Sequence, residues 1–122
     1  MQVLLWDFTI TCPDSLSDQV YFKRDLPSNQ RGKVIINYRN LSAGKYEMKV
    51  YQTGYMVNDA YSTYLEIGAP SHLTRQQVQT IKQKNSGAAI IQKTIVISTG
   101  KTFSETLDVR ENDVFLVTLN RL

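Results

Sequence analysis

One cysteine, one histidine and one tryptophan are all that this 122-residue chain holds of those types. A lone Cys12 has no partner for an intrachain disulfide, and no thiolate spacing for zinc exists. A lone His72 leaves a catalytic triad or a histidine metal site little to build with. It stands between a helix stop and a helix start, where a solvated loop residue is expected. No apolar run approaches the roughly 20 residues that cross a bilayer as a helix. No five like charges stand together either. The net charge of +3 and pI of about 9.0 would admit a nucleic-acid or membrane-surface partner. The positions argue otherwise. Lys23 and Arg24 run into Asp25, Lys45 and Lys49 flank Glu47, and Arg110 is followed by Glu111 and Asp113. A solvated, mixed surface is the expectation, with neither nucleic acid nor membrane as partner. Met1 leads directly into an apolar run with no basic region or cleavage site, so no signal peptide is expected. A strand opening at the second residue reads as a piece of a longer chain. The compartment is therefore left open, although a single cysteine fits a reducing cytoplasm.

What is present is a core. Hydrophobic residues make up 42% of the chain and charged residues 20%, a globular composition sized for one domain over residues 1–122. Val3-Leu4-Leu5-Trp6-Asp7-Phe8 is short, apolar and β-prone, which predicts a largely buried strand. Pro13 to Asp18 is turn-like. A second strand is expected over Lys33 to Tyr38, and Asn40 to Gly44 forms a turn signal. The cleanest alternation follows: Tyr46, Met48 and Val50 point one way, and Lys45, Glu47 and Lys49 the other. That predicts a strand with one wet face.

The middle of the chain changes period. Asn58-Asp59 supplies a cap for a short helix over Ala60 to Ile67, closed by Gly68 and Pro70. Thr74-Arg75-Gln76-Gln77 matches a capping box, opening a polar helix to about Asn85, with Val78 and Ile81 on a narrow stripe and Gly87 as its stop. Strands return at Thr94 to Ser98, with Ile95 and Ile97 inward. Thr99-Gly100-Lys101 predicts a hairpin turn into Thr102 to Val109. There Phe103, Glu105, Leu107 and Val109 share a face, so Glu105 must lie at a rim or find a partner. Arg110 to Asp113 turns into a last strand, Val114 to Leu119. The fold class expected is mainly β: an antiparallel β-sandwich, jelly-roll-like, with two short inserted helices.

Catalytic constellations are sparse. Glycoside hydrolysis needs two carboxyl groups facing one cleft. Asp59 and Glu66 share a helix segment, but Asp59 is better explained as its cap. Cys12 would need a general base beside it to act as a nucleophile. Asp108, Glu111, Asn112 and Asp113 look like a calcium-rich turn, but a hairpin turn whose polar groups bond their own backbone is the expected reading. The glycines are single and scattered, so no phosphate cradle and no cofactor is expected. Tyr51, Tyr55, Tyr61 and Tyr64 crowd one stretch. Aromatic faces stack on sugars and suit interfaces, although Tyr61 and Tyr64 also fit the inner face of the short helix.

The stretch from Val50 to Pro70, with Tyr55, the Asn58-Asp59-Ala60-Tyr61 element and the Gly68-Ala69-Pro70 stop, resembles the C-terminal β-sandwich region of β-xylosidases of glycoside hydrolase family 39. Thr74 to Gln77 matches that family's helix start. Val3 to Phe8 looks like the strand leaving its catalytic barrel, and Glu111 to Leu119 like its final strand. The resemblance implies a non-catalytic accessory domain whose partner is the (β/α)₈ barrel of a retaining β-xylosidase, acting on xylan and xylo-oligosaccharides. The barrel and its two glutamates are not in this sequence, so no catalytic residue carries over. In the family a strand from the N-terminal part of the enzyme helps complete the sandwich, so the resemblance implies a sandwich that this chain by itself does not fully close. The interface or sugar-facing residues expected are Tyr55, Met56, Asn58, Asp59 and Tyr61. The alternative is an independent carbohydrate-binding module using exposed tyrosines. A domain taken from its parent also leaves apolar surface or strand edges open, so self-association is expected.

Overall fold

The computed structural model describes residues 1–9, 25 and 27–122. The expected turn at Pro13 to Asp18, and Cys12, lie outside the described residues. Six strands and two helices stand among the described residues: β1 (Gln2–Trp6), β2 (Gln30–Tyr38), β3 (Gly44–Thr53), α1 (Ala60–Glu66), α2 (Arg75–Lys84), β4 (Ile91–Ile97), β5 (Phe103–Arg110) and β6 (Val114–Arg121). The strands form two antiparallel sheets, β1-β6-β3-β4 and β2-β5. The mainly β sandwich with two helices inserted between strands is thus observed.

Period two places the core. Tyr46, Met48 and Val50 of β3, Phe115, Val117 and Leu119 of β6, and Ile97 of β4 project from one sheet. Leu107 and Val109 of β5 and Tyr38 of β2 meet them from the other. Met48, Val50 and Val117 are completely buried. Each such side chain contributes about 1.5–3 kcal/mol by leaving water. Tyr38 stacks on Phe103 with ring centroids 5.9 Å apart. Glu105, buried on this same face, meets Lys93 of β4 at 2.7 Å across the gap between the sheets. Its expected partner is therefore a lysine of the facing sheet, whose ammonium also lies 5.7 Å from the Phe103 ring centroid.

Two expectations are corrected. Val3 to Phe8 is not buried on both faces. Val3 and Leu5 pack on the core, while Leu4, Trp6 and Phe8 are exposed by 58%, 64% and 75%. A continuous apolar run does not say how many faces are covered, because successive side chains point to opposite sides. The turn at Thr99-Gly100-Lys101 is also not a hairpin. It forms, with Lys101 N donating to Ser98 O at 3.1 Å, but β4 pairs with β3 and β5 pairs with β2. The chain crosses from sheet to sheet there. It crosses again between β5 and β6, and between β2 and β3, where buried Leu41 fills the corner.

The helices form as their caps dictate. Asp59 caps α1, its Oδ1 accepting from Tyr61 N at 3.0 Å. Thr74 and Gln77 make the reciprocal capping box of α2. Asn85 closes α2 and donates to Thr63 of α1 at 3.0 Å, and Lys84 pairs with Glu66 at 2.9 Å, joining the helices. Val78 and Ile81 are half-buried, and α2 buries no residue fully.

Candidate functional site

At the end of β3 the chain makes a tight turn. Gly54 and Val57 exchange backbone bonds of 3.0 and 2.9 Å, leaving Tyr55 and Met56 as a two-residue loop. Gly54 is required by proximity. A Cβ there would lie 1.9 Å from Asp113 Oδ1. Asp113 is wholly buried. Its Oδ2 accepts from Gln52 Nε2, Arg110 N and Arg110 Nε, each at 3.0 Å, and its Oδ1 from Arg110 Nη2 at 3.0 Å. Arg110 Nη2 also donates to Tyr55 O at 3.1 Å. The turn is thereby clamped onto the β5–β6 corner.

The five expected site residues divide at this turn. Met56 is 57% exposed and holds φ at 60°, the left-handed region that side chains disfavour. Tyr55 is half-buried, and its hydroxyl donates to Asp25 Oδ2 at 3.0 Å. That bond, some desolvation and the charges of Asp25 and Asp59 raise its pKa above the usual phenol value. Asn58 is engaged internally. Its Nδ2 donates to Gln52 O at 2.9 Å and its Oδ1 accepts from Gly87 N at 3.0 Å. Asp59 caps α1 and also accepts from the Ser62 hydroxyl. Tyr61 is half-buried and stacks on Tyr64, centroids 6.4 Å apart. Two shallow depressions border the turn. One, of about 240 Å³, is lined by Asp25, Tyr55, Met56, Ser62, Leu65 and Glu66. The other, of about 180 Å³, brings Asp25, Tyr55, Asp59, Tyr61 and Asn112 together.

Every acidic residue among the described residues has an internal partner. Asp7 and Glu111 share Arg31, Asp108 pairs with Lys33, Glu47 with Lys49, Glu66 with Lys84, Glu105 with Lys93 and Asp113 with Arg110. Asp25 and Asp59 accept the bonds described above. The calcium-like series Asp108, Glu111, Asn112 and Asp113 does not converge: Asn112 bonds Thr9, Glu111 bonds Asn29, and Asp113 is enclosed by Arg110 and Gln52. His72 is exposed.

The residues reached least well by sequence reasoning lie elsewhere. On the outer face of the larger sheet, Leu4 stands opposite Leu116, and Leu116 opposite Tyr51. Trp6 stands opposite Val114, which is 41% exposed. The signal was present in the unbroken apolar run of β1, which supplies more apolar side chains than one face can bury.

No protein-family model and no curated protein sequence matches the chain. Solved structures do. A glycoside hydrolase family 39 enzyme from Xanthomonas axonopodis pv. citri matches over 99% of this chain and 24% of its own, with a TM-score of 0.91 and 24% identity. A monomeric β-xylosidase from Caulobacter crescentus CB15 matches over 99% of this chain and 24% of its own, with a TM-score of 0.85 and 26% identity. A bacterial orthologue of human α-L-iduronidase shares the fold over 81% of this chain and 18% of its own, at a TM-score of 0.67 and 14% identity. The chain spans about a quarter of the length of the first two structures, and over nearly all of its own length it matches a fragment of a glycoside hydrolase family 39 enzyme.

Proposed function

We propose that residues 1–122 form a non-catalytic accessory domain of a family 39 β-xylosidase, packed in the parent polypeptide on its catalytic barrel and serving the breakdown of xylan or xylo-oligosaccharides. The observation that carries this reading is the match of almost the whole chain to a quarter-length segment of such enzymes. The internal pairing of the described carboxylates supports it. A glycosidase needs one carboxyl free to donate a proton and a second free to attack or to activate water, roughly 5–10 Å apart across the sugar. Asp25 lines one depression with Asp59 and the other with Glu66, which is paired with Lys84. Yet Asp25 holds the Tyr55 hydroxyl and Asp59 holds the first turn of α1. The test is incubation of the purified chain with an aryl β-xyloside. No turnover above background is expected. Turnover that copurifies with the folded chain and disappears in Asp25→Asn or Asp59→Asn would overturn the reading.

A carbohydrate-binding role is the second reading. It rests on the depression where Tyr55 and Tyr61 flank Asp25, Ser28 and Asn112, aromatic faces beside hydrogen-bonding groups being what a sugar ring needs. Calorimetric titration with xylo-oligosaccharides separates the two. Saturable binding lost in Tyr55→Ala favours the module, and no heat at millimolar ligand removes it.

A further inference from the structure

We propose that the half of the larger sheet's outer face built by β1 and β6, centred on Leu4, Trp6, Val114 and Leu116, is the surface on which this chain docks against the rest of its parent polypeptide. The inference rests on the accessory-domain reading and names the face that domain uses. Register makes the patch continuous. Leu4, Leu116 and Tyr51 form one row across β1, β6 and β3, and Trp6, Val114 and Thr53 the next. Directly opposed residues on one face have their Cβ atoms about 4.5–5.5 Å apart, so the residues of each row are neighbours. Phe8, two residues beyond the end of β1, is a further exposed apolar side chain.

The other half of this face is chemically different. Lys45, Glu47 and Lys49 stand opposite Val96, Thr94 and Gln92. Glu47 there pairs with Lys49 at 3.1 Å and accepts from Gln92 at 2.7 Å. Val96 is the apolar exception, 71% exposed at the outer strand. A face meant wholly for water would be polar throughout, and a face meant wholly for a core would be apolar throughout. The division marks where a partner ends. Single exposed apolar residues are ordinary, but contiguous ones mark interaction surfaces, and tryptophan is prominent among residues that dominate binding energy. The Tyr55–Met56 turn is the weaker claimant, because Asn58 and Asp59 are engaged within the chain and Met56 alone projects.

The occupant follows from length. The matched enzymes carry most of their chain outside the segment that this sequence spans. A covalently tethered partner acts at high effective concentration and needs little affinity of its own. A second copy must first overcome the cost of association.

Hydroxyl-radical footprinting read by mass spectrometry tests the assignment on the isolated chain, kept dilute, and on the parent polypeptide. Trp6 is the single tryptophan of residues 1–122, so its oxidation is read from the one peptide of this segment that carries it. Oxidation of Leu4, Trp6 and Leu116 is expected to fall several-fold in the parent, while Val96 is labelled equally in both. Equal labelling of Trp6 in both overturns the proposal. Protection of Tyr55 and Met56 in its place keeps the accessory-domain reading and removes this face. Protection of neither surface removes both. Protection in the parent that grows with its concentration assigns the face to a second copy and also overturns the proposal.

Discussion

At the scale of single residues, the most constrained position is Gly54. Its backbone has an ordinary conformation, and what excludes a side chain is the Asp113 carboxylate, 1.9 Å from where a Cβ would stand. Gly54→Ala therefore either displaces a buried, four-bonded carboxylate or opens the turn, and overpacking of this kind costs about 1–3 kcal/mol. Urea unfolding of the variant reads it, and an unchanged midpoint would show that the clamp yields freely. Tyr38 is the opposite case. Its hydroxyl is buried with no hydrogen-bond partner among the described residues. Tyr38→Phe removes a polar group that gains nothing from burial, so stability is expected to hold or to rise by about 1 kcal/mol. A clear loss of stability would mean the hydroxyl has a partner after all. The same phenol, and that of Tyr55, also titrate late. Burial, then the Glu105 charge, raises the Tyr38 pKa, and the Asp25 hydrogen bond leads in raising that of Tyr55. Folded pKa values above the unfolded value near 10 mean that both phenols are protonated in both states well below pH 10. Above it the unfolded chain ionises first and gains, so their contribution is lost as pH rises through the folded values. The fall in urea midpoint from about pH 9 to about pH 11 should be shallower in the Tyr38→Phe, Tyr55→Phe double variant.

Elements were legible wherever their signal is local. The caps at Asp59 and at Thr74 with Gln77 involve residues a few positions apart, and both helices start where those residues dictate. The two caps differ in consequence. Asp59 anchors a helix that buries Ser62 and Thr63, with Ser62 holding the Met56 backbone, whereas α2 buries no residue fully. Asp59→Ala is expected to lower global stability by about 1 kcal/mol. Thr74→Ala should instead fray the start of α2, raising hydrogen exchange there with little change in the unfolding midpoint. Equal effects on both readouts would show that α2 is coupled to the core more tightly than its exposure indicates. Strand ends were less legible. β2 begins at Gln30 and β4 at Ile91, both earlier than their alternation indicates. Ladder hydrogen bonds to β5 and to β3 carry them further.

At the scale of the whole molecule, the unequal faces of the larger sheet set the behaviour of the isolated chain. Leu4, Trp6, Phe8 and Val114 in water make weak self-association at high concentration the expected outcome. Leu4→Gln with Trp6→Gln, both exposed, should restore a monomer in sedimentation velocity without loss of stability. A wild-type chain that stays monomeric at the highest attainable concentration would count against an adhesive face.

What this sequence determined alone is what depends on neighbours along the chain: strands by period two, helices by their caps, turns by Asn and Gly, and the sparsity of histidine and cysteine. Tertiary structure decided what depends on neighbours in space. Ile95 and Ile97 alternate like Leu107 and Val109, and alternation is equally satisfied whether two strands lie side by side or face each other across a core. Only the pairing of β4 with β3 and β5 with β2 separates those arrangements. The meeting of Glu105 with Lys93, the enclosure of Asp113 against Gly54, and the choice of which side of β1 meets water follow from that pairing. They are contacts between strands and corners far apart in sequence, and a periodicity of two carries no information about which distant strand supplies them.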